Sequence, residues 1–220
     1  MSLLCLLATE AELRAGMTPP EAWLTPTEQA RWLAFGTAAR RESFLAGRWL
    51  ARLALQQWRG SDARPALAVA DSGACHVTDG SGGFVSISHS AGTVVCAVAA
   101  VPVGVDVESL GRPRDHLALA ETVHSAAQRG RLARLPAEAR AEHFLQLWTL
   151  KEAWLKARGQ GLDFALMRRL SFEDDPQGDV AVAVLGDLVL AIAADPALPL
   201  HLDTPQNATW RRGRTHIAAA

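Results

Sequence analysis

The chain has 220 residues, 22 of them Lys or Arg against 23 Asp or Glu, for a net charge of −1 at neutral pH. Hydrophobic residues make up 49% and charged residues 20%, which excludes a disordered chain and supplies enough apolar material for one or two folded domains. A balance this close to zero argues against a general nucleic-acid binder but leaves room for a local phosphate site.

Leu3 to Ala8 reads as a first strand. The opening apolar run lacks a basic n-region and a cleavage site and is too short to cross a membrane, so neither a signal peptide nor a membrane partner is expected. Cys5, Cys75 and Cys96 are far apart, odd in number and without metal-ligand spacing, which fits a reduced, cytoplasmic compartment. Thr25-Pro26-Thr27-Glu28 is a helix start, with Thr as N-cap, Pro at the first position and Glu closing a capping box. A long helix is predicted from Ala38 to Trp58, with Phe44, Leu45, Trp49 and Leu53 on one side and Arg40, Arg41, Arg48 and Arg52 on the other. Gly60-Ser61-Asp62 stops it. Ala66 to Ala70 reads as a strand, Asp71-Ser72-Gly73 as a turn and residues 80–83 as a loop. Phe84 to Ser88 alternates and Thr93 to Val101 is a Val/Ala run, together a hairpin around Ser90-Ala91-Gly92.

From Val101 to Glu108 the alternation is strict, with four Val on one face and Gly104, Asp106 and Glu108 on the other. Arg112-Pro113-Arg114 begins a polar connection. Ser125 to Gln128 caps a short helix ending near Leu135, and Pro136 opens a long helix that Gly159 ends. Leu170 to Glu173 is a strand, residues 174–178 a turn, and Val180 to Leu185 with Leu188 to Ala193 a hairpin. Beyond Pro196 the signal weakens, and His216 to Ala220 reads as a last strand or a frayed tail.

The chain also matches itself at an offset of 100. Ala39, Arg40, Glu42, Phe44, Leu45, Leu50 and Leu55 recur as Ala139, Arg140, Glu142, Phe144, Leu145, Leu150 and Leu155. Two similar helices, each followed by strands, predict an α+β fold of two related halves, 1–101 and 102–220, with a ligand pocket between them.

Lys151 and Lys156 are the only lysines; the other 20 basic residues are Arg. Lys is a compact ammonium suited to a single phosphate oxygen. On the helical wheel Leu147, Leu150, Trp154 and Ala157 form an apolar stripe, with Glu152 and Lys156 on the far side. By itself that Glu–Lys spacing is an ordinary surface pair. Asp106 and Glu108 change its meaning. Two carboxylates on one strand face repel unless a cation lies between them, and oxygen donors of this kind suit Mg²⁺, with Glu152 as a third donor and Lys156 one turn on to meet phosphate oxygens. Ser86-Ile87-Ser88-His89-Ser90 puts hydroxyls and an imidazole at a strand end, and Arg40 and Arg41 offer a phosphate clamp. No P-loop, GxSxG, HExxH or GxGxxG is present.

Taken together, Gly104-Val105-Asp106-Val107-Glu108, Trp148-Thr149-Leu150-Lys151-Glu152-Ala153 with Lys156 and Gly159-Gln160-Gly161-Leu162, and Ser86-Ile87-Ser88-His89-Ser90 resemble the three signatures of 4′-phosphopantetheinyl transferases. The resemblance is to the larger, monomeric class, the surfactin-synthetase-activating and enterobactin type, and covers about residues 25–175. That family is similar to two halves of one α+β fold related by a pseudo-two-fold. The resemblance implies Mg²⁺-dependent transfer of the phosphopantetheine arm of coenzyme A to a serine of an apo acyl or peptidyl carrier protein, releasing 3′,5′-ADP. It implies Asp106, Glu108 and Glu152 as metal ligands, Lys156 on the phosphates, and Glu152 as base for the serine. Ser88 and His89 would touch the nucleotide, and Arg40 or Arg41 its 3′-phosphate. One departure stands out: the family's Gly-Lys-Pro or Gly-Arg-Pro is here Gly73-Ala74-Cys75-His76, with His76 as the available substitute. A Mg²⁺-dependent pyrophosphate hydrolase and a non-catalytic carrier-binding module are the alternatives. A duplicated chain that forms its site internally is expected to be a monomer.

Overall fold

The apolar run at the start forms strand β1 (Leu4–Thr9) of the computed structural model, which describes residues 3–70, 73–80, 82–194 and 209–219. Thr9 then caps helix α1 (Glu10–Gly16) by accepting the Glu12 N–H, and Glu12 returns a carboxylate to Thr9. The sequence reading does not include this seven-residue helix, which is too short for a clear period. After a 3₁₀ turn at Pro20–Ala22 comes α2 (Pro26–Ala34), entered through the predicted Thr25/Glu28 capping box.

Glu28 does more than cap. It is fully buried, and Arg52 of α3 (Ala38–Arg59) meets it through two nitrogens at 2.6 and 3.0 Å. The basic side assigned to this helix therefore divides. Arg40 is exposed, whereas Arg48 and Arg52 are buried, Arg48 donating to the Ala68 carbonyl and Arg52 to that of Trp23 while lying over the Trp23 ring. Their apolar stems tolerate the interior because their heads find a carboxylate and carbonyls there. Removing the carboxylate strands two buried cations, so Glu28→Ala should lower unfolding stability by about 3–5 kcal/mol in a urea titration. A loss below about 1 kcal/mol would mean that the arginines reach water instead.

The short pair β2 (Leu67–Val69) and β3 (Cys75–Val77) follows, then the predicted hairpin β4 (Phe84–Ser90) and β5 (Thr93–Ala99). Its turn runs through Ala91 and Gly92, both at positive φ. The predicted turn positions Asp71 and Ser72 lie outside the described residues. The first sheet has the antiparallel order β1-β5-β4. Leu50, Ala51, Ala54 and Leu55 of α3 cover one of its faces at Val94, Cys96 and Val98.

Strand β6 (Val103–Ser109) is buried on both faces for most of its length. Val103, Val105 and Val107 pack with Leu3, Cys5, Val95 and Ala97 from the first sheet, as predicted for an apolar face. The Gly104/Asp106 face is buried as well, because a helix lies on it. The chain continues through α4 (His116–Val123), α5 (Ala126–Arg134), the long α6 (Ala137–Ala157), α7 (Phe164–Arg169), β7 (Leu170–Asp174), β8 (Val180–Leu185), β9 (Leu188–Ala194) and β10 (Arg211–Ile217). The sequence reading does not contain α4 or α7. Strand β10 begins five residues before the predicted His216, where its Arg-rich stretch has no apolar alternation. It lies between β8 and β7, giving the order β6-β9-β8-β10-β7.

The two sheets begin alike. In each, a first strand pairs with the second arm of a later hairpin, β1-β5-β4 and β6-β9-β8. A long helix separates strand from hairpin in both. The fold is α+β. Among the described residues no helix is long and apolar enough to cross a membrane, and all three cysteines are free.

Candidate active site

Gly104 sets how the site is built. A Cβ there would lie 1.9 Å from the Ala153 carbonyl oxygen and 2.5 Å from the Ala157 nitrogen, so α6 rests directly on the β6 backbone. Two residues along the same face, Asp106 then meets the last turns of that helix. Lys156 donates to Asp106 Oδ1 at 2.6 Å, to the Val105 carbonyl at 3.2 Å and to Ser88 Oγ at 3.2 Å, with Glu152 Oε2 3.7 Å away. Glu152 and Lys156 are thus no isolated surface pair. They face the β6 carboxylates, and α6 is buried on several sides: Phe144, Leu145, Leu150, Trp154 and Leu155 belong to the C-terminal core.

Asp106 is 3% exposed; its Oδ1 also accepts from Ser88 at 2.7 Å, while its Oδ2 is buried without a partner. Glu108 takes Arg114 at 2.6 Å and Ser90 Oγ at 3.2 Å. Burial first, then repulsion from Asp106, pushes the Glu152 carboxyl up to about 7. Burial likewise raises Asp106 against the pull of Lys156. Burial opposes the Lys156 ammonium, but Asp106, Glu152 and Glu108 together outweigh it and hold the pKa above the usual lysine value. Two carboxyls raised by burial and by a neighbouring carboxylate, one of them with an orphaned buried oxygen, form a site short of positive charge. The oxygen-only donor set and that orphan fit a hard divalent cation. Among the described residues no three acidic, His or Cys side chains are gathered closely enough to form a metal cluster as they stand; Lys156 and Arg114 hold the carboxylates instead.

Lys151, the other lysine of the motif, points the other way. Fully buried, it donates to the Val123 carbonyl at 2.8 Å and Gln128 Oε1 at 2.8 Å and meets His124 Nδ1 at 3.1 Å. Burial pushes it down to about 7. It ties the α4–α5 corner to α6 and has no part in the acidic site. Adjacent helix positions face about 100° apart, which is why two lysines five apart serve opposite faces.

A cavity of about 400 Å³ opens beside Lys156. Arg31, Phe44, Arg48 and His89 form its wall from the N-terminal half, and Glu152, Lys156 and Gln160 from the C-terminal half. His89 fits against α3 only because position 47 is glycine; a Cβ there would stand 2.5 Å from its Nε2. Packing against α3 desolvates the His89 ring and lowers its pKa, although the residue as a whole is exposed. Ser88 turns its hydroxyl to Asp106 and is not on the cavity wall. Neither Arg40 nor Arg41 reaches the wall, and Arg41 donates to the Phe35 carbonyl at 2.8 Å. In the Gly73–His76 stretch, Gly73, Ala74 and Cys75 line the cavity whereas His76 is exposed outside it.

Arg31 is the residue that the sequence reading misses. Its Nη2 lies 4.0 Å from where a Gly73 Cβ would be, so a guanidinium stands beside the loop that lacks a basic residue. Its sequence signal is only a place on α2, three residues after Glu28; nothing local ties it to a loop some 40 residues on.

The model of the 4′-phosphopantetheinyl transferase superfamily matches residues 102–209, and that of the 4′-phosphopantetheinyl transferase N-terminal domain matches residues 28–99. Similarity to the 4′-phosphopantetheinyl transferase HetI of Nostoc sp. is 31% identity over 181 residues, covering 72% of this chain and 73% of that protein. The 4′-phosphopantetheinyl transferase psf-1 of Bacillus pumilus is 42% identical over 81 residues, covering 37% of this chain and 34% of the relative. The 4′-phosphopantetheinyl transferase Sfp of Bacillus subtilis is 32% identical over 81 residues, covering 37% and 35%. The matched stretch thus spans about a third of the length of the Bacillus relatives.

Proposed function

The chain belongs to the 4′-phosphopantetheinyl transferase superfamily, and from that premise we propose that it transfers the 4′-phosphopantetheine arm of coenzyme A to a serine of an apo acyl or peptidyl carrier protein, releasing 3′,5′-ADP. The observation that carries the reading is Lys156, on the wall of a cavity with arginines at one side and bonded to a buried carboxylate behind it.

In this reading the cavity takes the coenzyme A nucleotide. Arg31 and Arg48 answer its phosphates, and His89 on the same wall offers a ring nitrogen to the same end. Arg31 takes the role first given to Arg40 or Arg41. Arg31→Ala should therefore raise the Kd for coenzyme A about tenfold by isothermal titration, as loss of a charge-assisted phosphate contact does. Unchanged affinity would return the 3′-phosphate to another side chain.

Asp106, Glu108 and Glu152 would hold Mg²⁺, which supplies positive charge against the pyrophosphate when bound. Lys156 presents its ammonium to a pyrophosphate oxygen from the cavity wall. Glu152, with a pKa near neutrality, accepts the proton of the carrier serine. The serine oxygen then forms its bond to the β-phosphorus as the bond to the 3′,5′-ADP oxygen breaks, with charge compensated chiefly by electrostatics. The matching order of the two sheets supports the reading of two α+β halves, 1–101 and 102–220, whose meeting forms the site. A site completed within one chain supports a monomer, and three free thiols support a cytoplasmic setting.

Intact-mass analysis of an apo carrier protein incubated with the protein, coenzyme A and Mg²⁺ tests the proposal. A gain of one phosphopantetheine, lost with EDTA, is expected. Release of 3′,5′-ADP without carrier modification would make it a hydrolase. No reaction with carriers of several classes, despite coenzyme A binding, would overturn the transferase reading.

A further inference from the structure

Strands β4 and β6 are edges of different sheets, and no backbone ladder joins them. They are joined by hydroxyls. Ser86 Oγ accepts the Val105 N–H at 3.0 Å, Ser88 Oγ accepts the Val107 N–H at 3.3 Å, and Ser90 Oγ accepts the Ser109 N–H at 3.1 Å. The partners rise together in number, so the strands run in the same direction along this seam. On its other edge β6 is paired with β9, so these amides have no partner in the sheet. Buried N–H groups must be satisfied, and three serines at every second position do it.

Two of the three hydroxyls also use their proton. Ser88 donates to Asp106 Oδ1 at 2.7 Å and Ser90 donates to Glu108 Oε2 at 3.2 Å. Each therefore accepts from one β6 residue and donates to the carboxylate just before it. The hydroxyl lies between two atoms of known relative position, which fixes the carboxylate's height along the strand and one direction of approach. Ser86, which also lines the cavity, lies opposite Gly104, which has no carboxylate, and its hydroxyl makes only the backbone bond.

We propose that Ser88 and Ser90 are positioning residues for Asp106 and Glu108, holding the two carboxylates in register with the half of the molecule that carries His89. This rests on the metal reading of the same site. It gives the Ser-x-Ser-x-Ser pattern a reason separate from ligand contact: alternate hydroxyls match alternate acidic positions across the seam.

The pattern contains its own control. In the full-length protein, Ser86→Ala, Ser88→Ala and Ser90→Ala are to be compared by amide hydrogen exchange and by calorimetric titration of MgCl₂ in the presence of coenzyme A. Each change should speed exchange at its own partner, Val105, Val107 or Ser109. Losing a hydrogen bond to a charged group should weaken Mg²⁺ binding about tenfold in the Ser88 and Ser90 variants but by less than about twofold in Ser86→Ala. Ser90→Thr, which keeps the hydroxyl at a partly exposed position, should restore the affinity. Should Ser88→Ala fail to fold, the Ser90 pair decides. Equal weakening in all three variants, or none in Ser90→Ala, would overturn the proposal. Fast exchange at all three amides in the unaltered protein would overturn the seam alone. Protected amides without Mg²⁺ uptake would instead sink the metal reading, and with it the role given to the two serines.

Discussion

Gly104→Ala should abolish turnover and lower stability by about 3 kcal/mol or more, the upper end for overpacking a well-filled interior. The added methyl would meet the Ala153 carbonyl oxygen at 1.9 Å and the Ala157 nitrogen at 2.5 Å, and both are backbone. No rotamer change relieves a clash with helix backbone; the helix itself must move. Moving it costs twice. The apolar contacts of Ala153, Trp154 and Ala157 with the second sheet loosen, and Lys156 is carried off Asp106, its partner at 2.6 Å. A misplacement of about 1 Å at a reacting centre can cost on the order of 10²-fold in rate by itself. Urea denaturation and turnover measured on the same preparation check the claim. Wild-type stability with wild-type rate would mean that α6 does not rest on β6 as described.

Glu152→Gln and Asp106→Ala should each cut turnover by about 10²–10³-fold or more, the size expected when the positive charge that these carboxylates would hold against the transition state is lost. Stability should change little. Both carboxyls sit where burial and a neighbouring carboxylate, Glu108 for Asp106 and Asp106 for Glu152, raise their pKa, so neither ion is at ease in the fold. Removing one relieves the other: in Asp106→Ala the Glu152 carboxyl should titrate below about 7. Lys156, its side chain 30% exposed, can turn its ammonium to solvent when its partner is gone. Coenzyme A binding should persist in both variants, because Arg31, Arg48 and His89 are untouched. Near-normal turnover in either would remove that carboxylate from the metal assignment; loss of folding would make its role structural.

Much of this molecule was readable before folding. The Thr25/Glu28 box, the Gly60 stop, the Ser90-Ala91-Gly92 turn and the β8–β9 hairpin rest on bonds within a few residues, which local spacing determines. The same holds for the alternation that put Gly104, Asp106 and Glu108 on one face, and for the helix that put Glu152 and Lys156 on another. Elements whose signal is short or weak, α1, α4, α7 and the Arg-rich β10, were not readable, because helices of six to eight residues carry about two turns of pattern and β10 has no apolar alternation.

Residue order and spacing therefore dictated the set of parts and the chemistry each could offer: carboxylates on a strand, a Glu–Lys helix face, serines at alternate positions. Which of those groups meet was decided only in three dimensions. Arg40, Arg41, Arg48 and Arg52 look alike on a helical wheel, yet Glu28 and the Trp23 and Ala68 carbonyls draw two of them inside. Lys151 and Lys156 share a motif, yet one holds a helix corner and the other an acidic strand. Arg31 reaches the Gly73 loop, and three serines meet three amides, across separations that no local pattern encodes. The physical reason is that side-chain identity and periodicity limit what a residue can do, whereas burial and the partner across the interface, which exist only once the halves have packed, select what it does.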